Sequence, residues 1–174
     1  TRVRSAFAHP GDAILLLGET AEELSGSIWE YRCFDGHLGG MPPKVCLQQE
    51  RSLATVCRSP AAERLLSSAH DLSEGGLAVA LAESAFQGGL GFAVTLPGED
   101  PTVALFSESA ARAIVSLSGT QLRRFEELCA EHEVPVTRLG EVTDTGQLEF
   151  VGLLTVDLDE ARDAWTRPLP DAMR

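Results

Sequence analysis

Two polar knots interrupt a chain whose other segments are ordinary. The first, Ser68-Ala-His-Asp-Leu-Ser-Glu-Gly-Gly-Leu77, sets a His-Asp pair, a hydroxyl, a carboxylate and a Gly-Gly step in one turn. The run from Leu77 to Phe86 follows at once and reads as a helix. A turn of this kind can present backbone N–H groups and polar side chains to a charged ligand. Ser73 suits a helix N-cap, and Glu74 suits the positive end of the helix dipole. Gly75 and Gly76 lower helix propensity, so something must compensate. Either a backbone or a ligand approaches closely there, or the glycines let the helix pack tightly on a sheet, with His70 in a structural hydrogen bond. The second knot, Phe106-Ser-Glu-Ser-Ala-Ala-Arg112, precedes an apolar run. Glu108 is placed to orient a ligand hydroxyl or to pair with Arg112. The alternative is a solvated turn with a serine cap.

The remaining candidates carry less. Asp12, in His-Pro-Gly-Asp, reads as a turn residue, and His9, His37 and His132 have no neighbours at metal-ligand spacing. The cysteines at 33, 46, 57 and 129 form no zinc-like spacing. They read as reduced, partly buried thiols. No P-loop, nucleophile elbow or dinucleotide fingerprint occurs.

The elements that must position these knots follow from periodicity and turn residues. Val3 to Ala8 reads as a strand, and Ala13 to Leu17, continuously apolar, as a buried one. Gly18 to Ser27 is a polar loop, Ile28 to Cys33 a short helix and Asp35 to Pro43 a Gly/Pro-rich loop. A helix is expected over Lys44 to Arg58, broken by Ser59-Pro60 and followed by a second over Ala61 to Leu66. Gly91 to Leu96 and Ala113 to Leu117 read as strands, with Pro97 to Pro101 a turn. An amphipathic helix carries Leu122, Phe125, Leu128 and Cys129 on one face. Strands over Val136 to Val142, Leu148 to Val151 and Leu153 to Val156 lead to a helix over Leu158 to Trp165 and a Pro-broken tail. The alternation points to an α/β or α+β sandwich.

At 174 residues, one domain with a real core is expected. The net charge of −12 with no basic patch argues against nucleic acid and against anionic membranes as partners. No apolar run approaches a membrane span of about 20 residues, and no secretory leader opens the chain. A cytoplasmic location is expected. The start at Thr1 suits a piece of a longer polypeptide.

The ordered motifs resemble the C-terminal domain of the aminoimidazole ribonucleotide synthetase superfamily, nearest its phosphoribosylformylglycinamidine synthase branch. The matching pieces are Pro10-Gly-Asp12 before Ile14-Leu-Leu-Leu-Gly18, Glu23-Leu-Ser-Gly-Ser27, the Ser68 to Glu83 stretch, Ala104-Leu-Phe-Ser-Glu-Ser109, Leu139-Gly-Glu-Val142 and Ala161-Arg-Asp-Ala-Trp165. The resemblance implies an α/β (α+β) fold, a mixed β-sheet packed with helices, with residues 1–174 as one C-terminal domain. Enzymes of that branch resemble an internal duplication, and this chain is similar to the C-terminal domain of the second half. They use ATP and Mg²⁺ to phosphorylate an amide oxygen of formylglycinamide ribonucleotide, and glutamine-derived ammonia then displaces phosphate. The resemblance thus implies ATP or ADP and Mg²⁺ in the parent enzyme. It also implies a nucleotide substrate, a glutaminase subunit or domain, and the parent's other domains as partners. It implies no catalytic residue here and a fragment inactive alone. His70, Asp71, Ser73, Gly75, Gly76, Glu108, Ser109 and Arg112 are the candidate lining of a pseudo-symmetric nucleotide pocket, with Asp71 as candidate metal ligand. Where the first-half motif reads Glu-Ser-Gln, this chain has Glu108-Ser109-Ala110, without the amide. The alternatives are a non-catalytic interaction module, or the same domain of aminoimidazole ribonucleotide synthetase.

Overall fold

A computed structural model describes residues 3–63 and 65–167. Its organising element is the strand β1 (Ala13–Leu17), whose five residues are all buried. Alternate side chains of a strand point to opposite faces. Ile14 and Leu16 therefore enter one core, with Leu77, Leu81 and Phe92, while Leu15 and Leu17 enter a second, with Val56, Val115 and Phe125. The apolar run is continuous because both faces of the strand are covered.

After β1 come α1 (Ile28–Cys33), α2 (Leu47–Glu63), β2 (Ser68–Asp71), α3 (Gly76–Gly88), β3 (Gly91–Val94) and α4 (Pro101–Phe106). The rest is β4 (Ala113–Leu117), α5 (Leu122–Glu131), β5 (Val136–Thr143), β6 (Gln147–Phe150), β7 (Leu154–Asp157) and α6 (Leu158–Thr166). The strands form a seven-stranded mixed sheet in the order β2-β4-β1-β5-β3-β6-β7. Among the strands described, only β3 and β6 pair with each other in parallel. α3, α4 and α6 supply buried residues to the first core; α2 and α5 supply them to the second. The fold is α+β, a mixed sheet with helices on both faces. Among the described residues, no helix is long and apolar enough to cross a membrane.

Four local expectations are corrected. Val3 to Ala8 is not a strand: its sheet contact is one isolated bridge, Arg4 with Ser68. Phe7 is buried in the first core, and its N–H donates to the Ser84 carbonyl of α3 at 3.0 Å, which draws this segment away from a ladder. Ser59-Pro60 does not break α2, which continues to Glu63. Val56, Leu53 and Cys57 anchor α2 on the second core, so packing overrides the proline signal. The separate helix expected over Ala61 to Leu66 is therefore absent, and its Arg64 lies outside the described residues. The turn at Pro97–Pro101 opens into α4, with Asp100 capping the Thr102 and Val103 N–H groups and Pro at its first position. Finally, His70 and Asp71 lie on β2, and the turn begins only after them. The tail beyond Arg167 lies outside the described residues.

Candidate functional site

The two polar knots meet. β2 and β4 pair side by side, with Asp71 opposite Ala113, so the turn after β2 is laid against the loop before β4. The Leu72 N–H donates to the Arg112 carbonyl at 3.0 Å. The Gly75 N–H donates to Glu108 Oε1 at 2.8 Å, and the same oxygen accepts the Ile28 N–H at 3.0 Å. One carboxylate thus serves the start of α1 and the approach to α3. The helix α3 takes Gly75, in a left-handed conformation, at its N-cap; Ser73 is not the cap. Ser73 contributes its carbonyl, which accepts the Gly76 N–H at 3.1 Å. Gly76 has φ +63°, and a Cβ there would stand 2.5 Å from the Ser107 carbonyl oxygen. The glycine step is therefore a close backbone contact between the knots. Both its N–H groups are used inside the chain, so they form no cradle for a phosphate.

Arg112 is 2% exposed, and Glu108 is not its hydrogen-bond partner. Its Nε donates to the Ser109 carbonyl at 3.0 Å, one terminal nitrogen to Thr20 Oγ1 at 3.0 Å, and the other to the Ser107 carbonyl. The guanidinium thereby closes its own loop and ties it to residue 20. Burial lowers its pKa to about 10 despite the nearby Glu23 and Glu108, which leaves it charged at neutral pH. Ser107 and Ser109 are buried as well. The Ser107 hydroxyl donates to the Ala21 carbonyl at 2.7 Å, and Ser109 Oγ accepts the Ala21 N–H at 3.1 Å. Ala111 holds φ +53°, a strained angle for a residue with a Cβ, and its N–H donates to Glu50 Oε1 at 2.9 Å. Gly18 approaches the same loop so closely that a Cβ would lie 2.2 Å from the Ala111 carbonyl oxygen.

His70 points to the α3 side of the sheet. Its Nδ1 lies 2.7 Å from the Asp71 carbonyl, and its Nε2 lies 3.1 Å from Glu83 Oε2. A carbonyl only accepts, so Nδ1 carries a hydrogen in this contact. His70 thus fastens the edge strand to α3. Asp71 behaves differently: its side chain is 84% exposed, as Ser73 and Glu74 are exposed beside it. Of the eight candidates, Gly75, Gly76, Glu108, Ser109 and Arg112 are brought together as one hub. His70 is fixed nearby through α3, and Asp71 and Ser73 form an open rim.

A cleft of about 190 Å³ lies along the other side of the second knot, with Gly18, Glu23, Lys44, Leu53, Ser109 and Ala110 among its walls. Burial pulls the Glu23 carboxyl upward in pKa. The Lys44 N–H, the Ser109 hydroxyl and the charges of Arg112 and Lys44 outweigh it and hold the group below its ordinary value. Burial raises the Cys57 and Cys129 thiols to about 11 and about 12, so they stay protonated. Among the described residues no group of three or more His, Cys, Asp or Glu could hold a metal ion. Asp71 alone does not fit a Mg²⁺ site. Asp12, expected as a turn residue, does close a turn, yet it is buried, and its Oδ2 has no hydrogen-bond partner.

Sequence reasoning missed Thr20, Ala21, Glu50 and Glu83. Only Glu83 left a signal, as the one charged residue of the apolar helix α3.

The sequence profile of the family described as AIR synthase related protein, C-terminal domain, matches residues 9–152. The phosphoribosylformylglycinamidine synthase subunit PurL of Cutibacterium acnes is 56% identical over 172 residues, covering 99% of this chain and 23% of that protein. The same subunit of Thermobifida fusca is 49% identical over 172 residues, covering 97% of this chain and 22% of that protein. This chain thus spans under a quarter of the length of these relatives. Among solved structures, T. maritima PurL complexed with FGAR superposes with TM-score 0.79 at 23% identity, over 91% of this chain and 29% of that one. E. coli HypE superposes with TM-score 0.62 at 16% identity, over 90% of this chain and 52% of that one. At these identities the structural likeness concerns the fold.

Proposed function

Because the chain belongs to the family of AIR synthase related C-terminal domains, we propose that it works as the C-terminal domain of a phosphoribosylformylglycinamidine synthase. On this reading the parent is an ATP-dependent, amidine-forming ligase of purine biosynthesis in the cytoplasm. It acts on formylglycinamide ribonucleotide, with Mg²⁺, and takes ammonia from a glutaminase partner. Solved PurL structures carry ATP, ADP or FGAR, and one is of PurLQS, which supports nucleotide binding and assembly at the level of the parent. The observation that carries the reading is 56% identity through 99% of the chain with a subunit of that name.

The chain's own role on this reading is positional. Its hub consumes the glycine amides and one Glu108 oxygen internally, and its walls include Ala110 where the family's other copy has an amide. Of the candidate residues, Asp71 and Ser73 are what the turn offers outward, beside the exposed Glu74, and we assign them any contact with a nucleotide. Among the described residues no cluster of ligating side chains accompanies Asp71, so on this reading the parent's Mg²⁺ is held by its other domains. The chain given formylglycinamide ribonucleotide, ATP, Mg²⁺ and ammonia should form no amidine, while the whole polypeptide carrying it should. Turnover by the chain alone would overturn the domain reading. Calorimetry of the whole polypeptide with ADP and Mg²⁺ tests the rim. Binding unchanged in Asp71→Ala removes Asp71 from the site and favours a purely structural domain.

A further inference from the structure

Seven of the eleven large apolar side chains exposed among the described residues fall between Ile28 and Leu47. Tyr31, Phe34, Leu38, Met41, Val45 and Leu47 are all in this arm, and Met41 is 82% exposed. An apolar surface so concentrated marks an interaction site, since scattered single residues would not collect in one segment. The arm is also charge-neutral: Glu30 and Asp35 are balanced by Arg32 and Lys44, so the net charge of −12 resides in the rest of the chain. A neutral segment in so acidic a chain can meet a partner without the repulsion that the rest of its surface would impose.

The arm is shaped in advance. Glu30 Oε2 accepts the Gly26 N–H at 2.6 Å and the Gly39 N–H at 3.0 Å, folding the loop back over α1. Glu23 Oε1 accepts the Lys44 N–H at 2.8 Å and fixes its far end. Trp29 and Phe34 stack edge to face with ring centroids 5.9 Å apart. A surface held this way loses little freedom on binding.

We infer that residues 28–47 are the docking surface by which this domain seats on the rest of the synthetase polypeptide, an inference that rests on the domain role proposed above. Two observations select that occupant. The chain accounts for only 23% of the length of its PurL relative from C. acnes, so most of such a polypeptide is available as a partner. A second copy is disfavoured, because two bodies each carrying −12 would repel around a face with no compensating charge.

Hydroxyl-radical footprinting, read by mass spectrometry at Tyr31 and Met41, tests the assignment. In the whole polypeptide both residues should be labelled at least tenfold more slowly than in the isolated chain. Equal labelling in the two would overturn the inference. Protection in the isolated chain that grows with its concentration would also overturn it, in favour of a second copy. The functional reading fails separately. Protection without amidine formation by the whole polypeptide sinks that reading and keeps the docking surface. Amidine formation without protection does the reverse.

Discussion

The hub around Ser107–Arg112 and the arm at residues 28–47 use one device in opposite solvent settings. In each, a single carboxylate oxygen accepts two main-chain N–H groups from separate turns: Glu108 takes Gly75 and Ile28, and Glu30 takes Gly26 and Gly39. Around Glu108, Gly75, Ser107 and Ser109 are buried, Ile28 alone of its partners is exposed, and a desolvated guanidinium lies in the same loop. The Glu30 carboxylate lies at the surface between exposed glycines, and its lowered pKa comes from the Gly39 and Gly26 N–H groups. The same bonds therefore do different things. Where water cannot replace a lost partner, they set stability; where it can, they set the shape of a loop. Glu23 belongs to both regions, since its side chain holds the Lys44 N–H and its carbonyl accepts the Glu108 N–H at 3.2 Å.

The contrast is most exposed to disproof at Arg112. Arg112→Ala leaves two carbonyls and a hydroxyl without their donor in a buried loop, and should cost about 3 kcal/mol or more of unfolding free energy. Urea denaturation of wild type and variant reads this directly; a loss below about 1 kcal/mol would mean that water reaches the hub as freely as the arm. Glu108→Ala should cost about 2 kcal/mol, because two main-chain donors lose one acceptor. Glu108→Gln keeps a carbonyl oxygen at that place and should recover more than half of the loss, which a charge-based role would not allow.

The smallest effect is expected at Glu23 and concerns pH. Its folded-state pKa is depressed, so its contribution is full above the ordinary value of 4.5 and is lost as pH falls through the lower folded value. Thermal unfolding between neutral pH and that acid range should therefore show a shallower acid loss in Glu23→Gln. An unchanged slope would separate the two regions that Glu23 is described as joining.

Much of the fold was legible because its signals are local. β1 and β4 are short runs bounded by turn residues, and the sequence marks both to the residue. α5 announced itself by Phe125, Leu128 and Cys129 on one face. The structure departs from the sequence pattern where a local signal is overridden by its surroundings. Pro60 signals a break that the anchoring of Val56 overrides, and Pro101 looks like the end of a turn but opens α4 behind the Asp100 cap. At the site, the residue types were legible and their partners were not. Glu108 and Arg112 stand four apart and invite an ion pair, yet the guanidinium takes carbonyls and Thr20. Glu50 reaches the Ala111 N–H from 61 positions away, a distance no spacing rule spans. The family's motif strings marked the place; only the geometry divided it into a closed hub and an open rim.

The central position of β1 also has a consequence in time. Ala13 pairs with Leu117 on one side and with Glu141 on the other, so this strand is made before either of its neighbours. Long-range pairing of this kind slows folding and leaves apolar segments uncovered in the interval. On the ribosome, Ile14, Leu15 and Leu16 must wait for β4 and β5 to emerge.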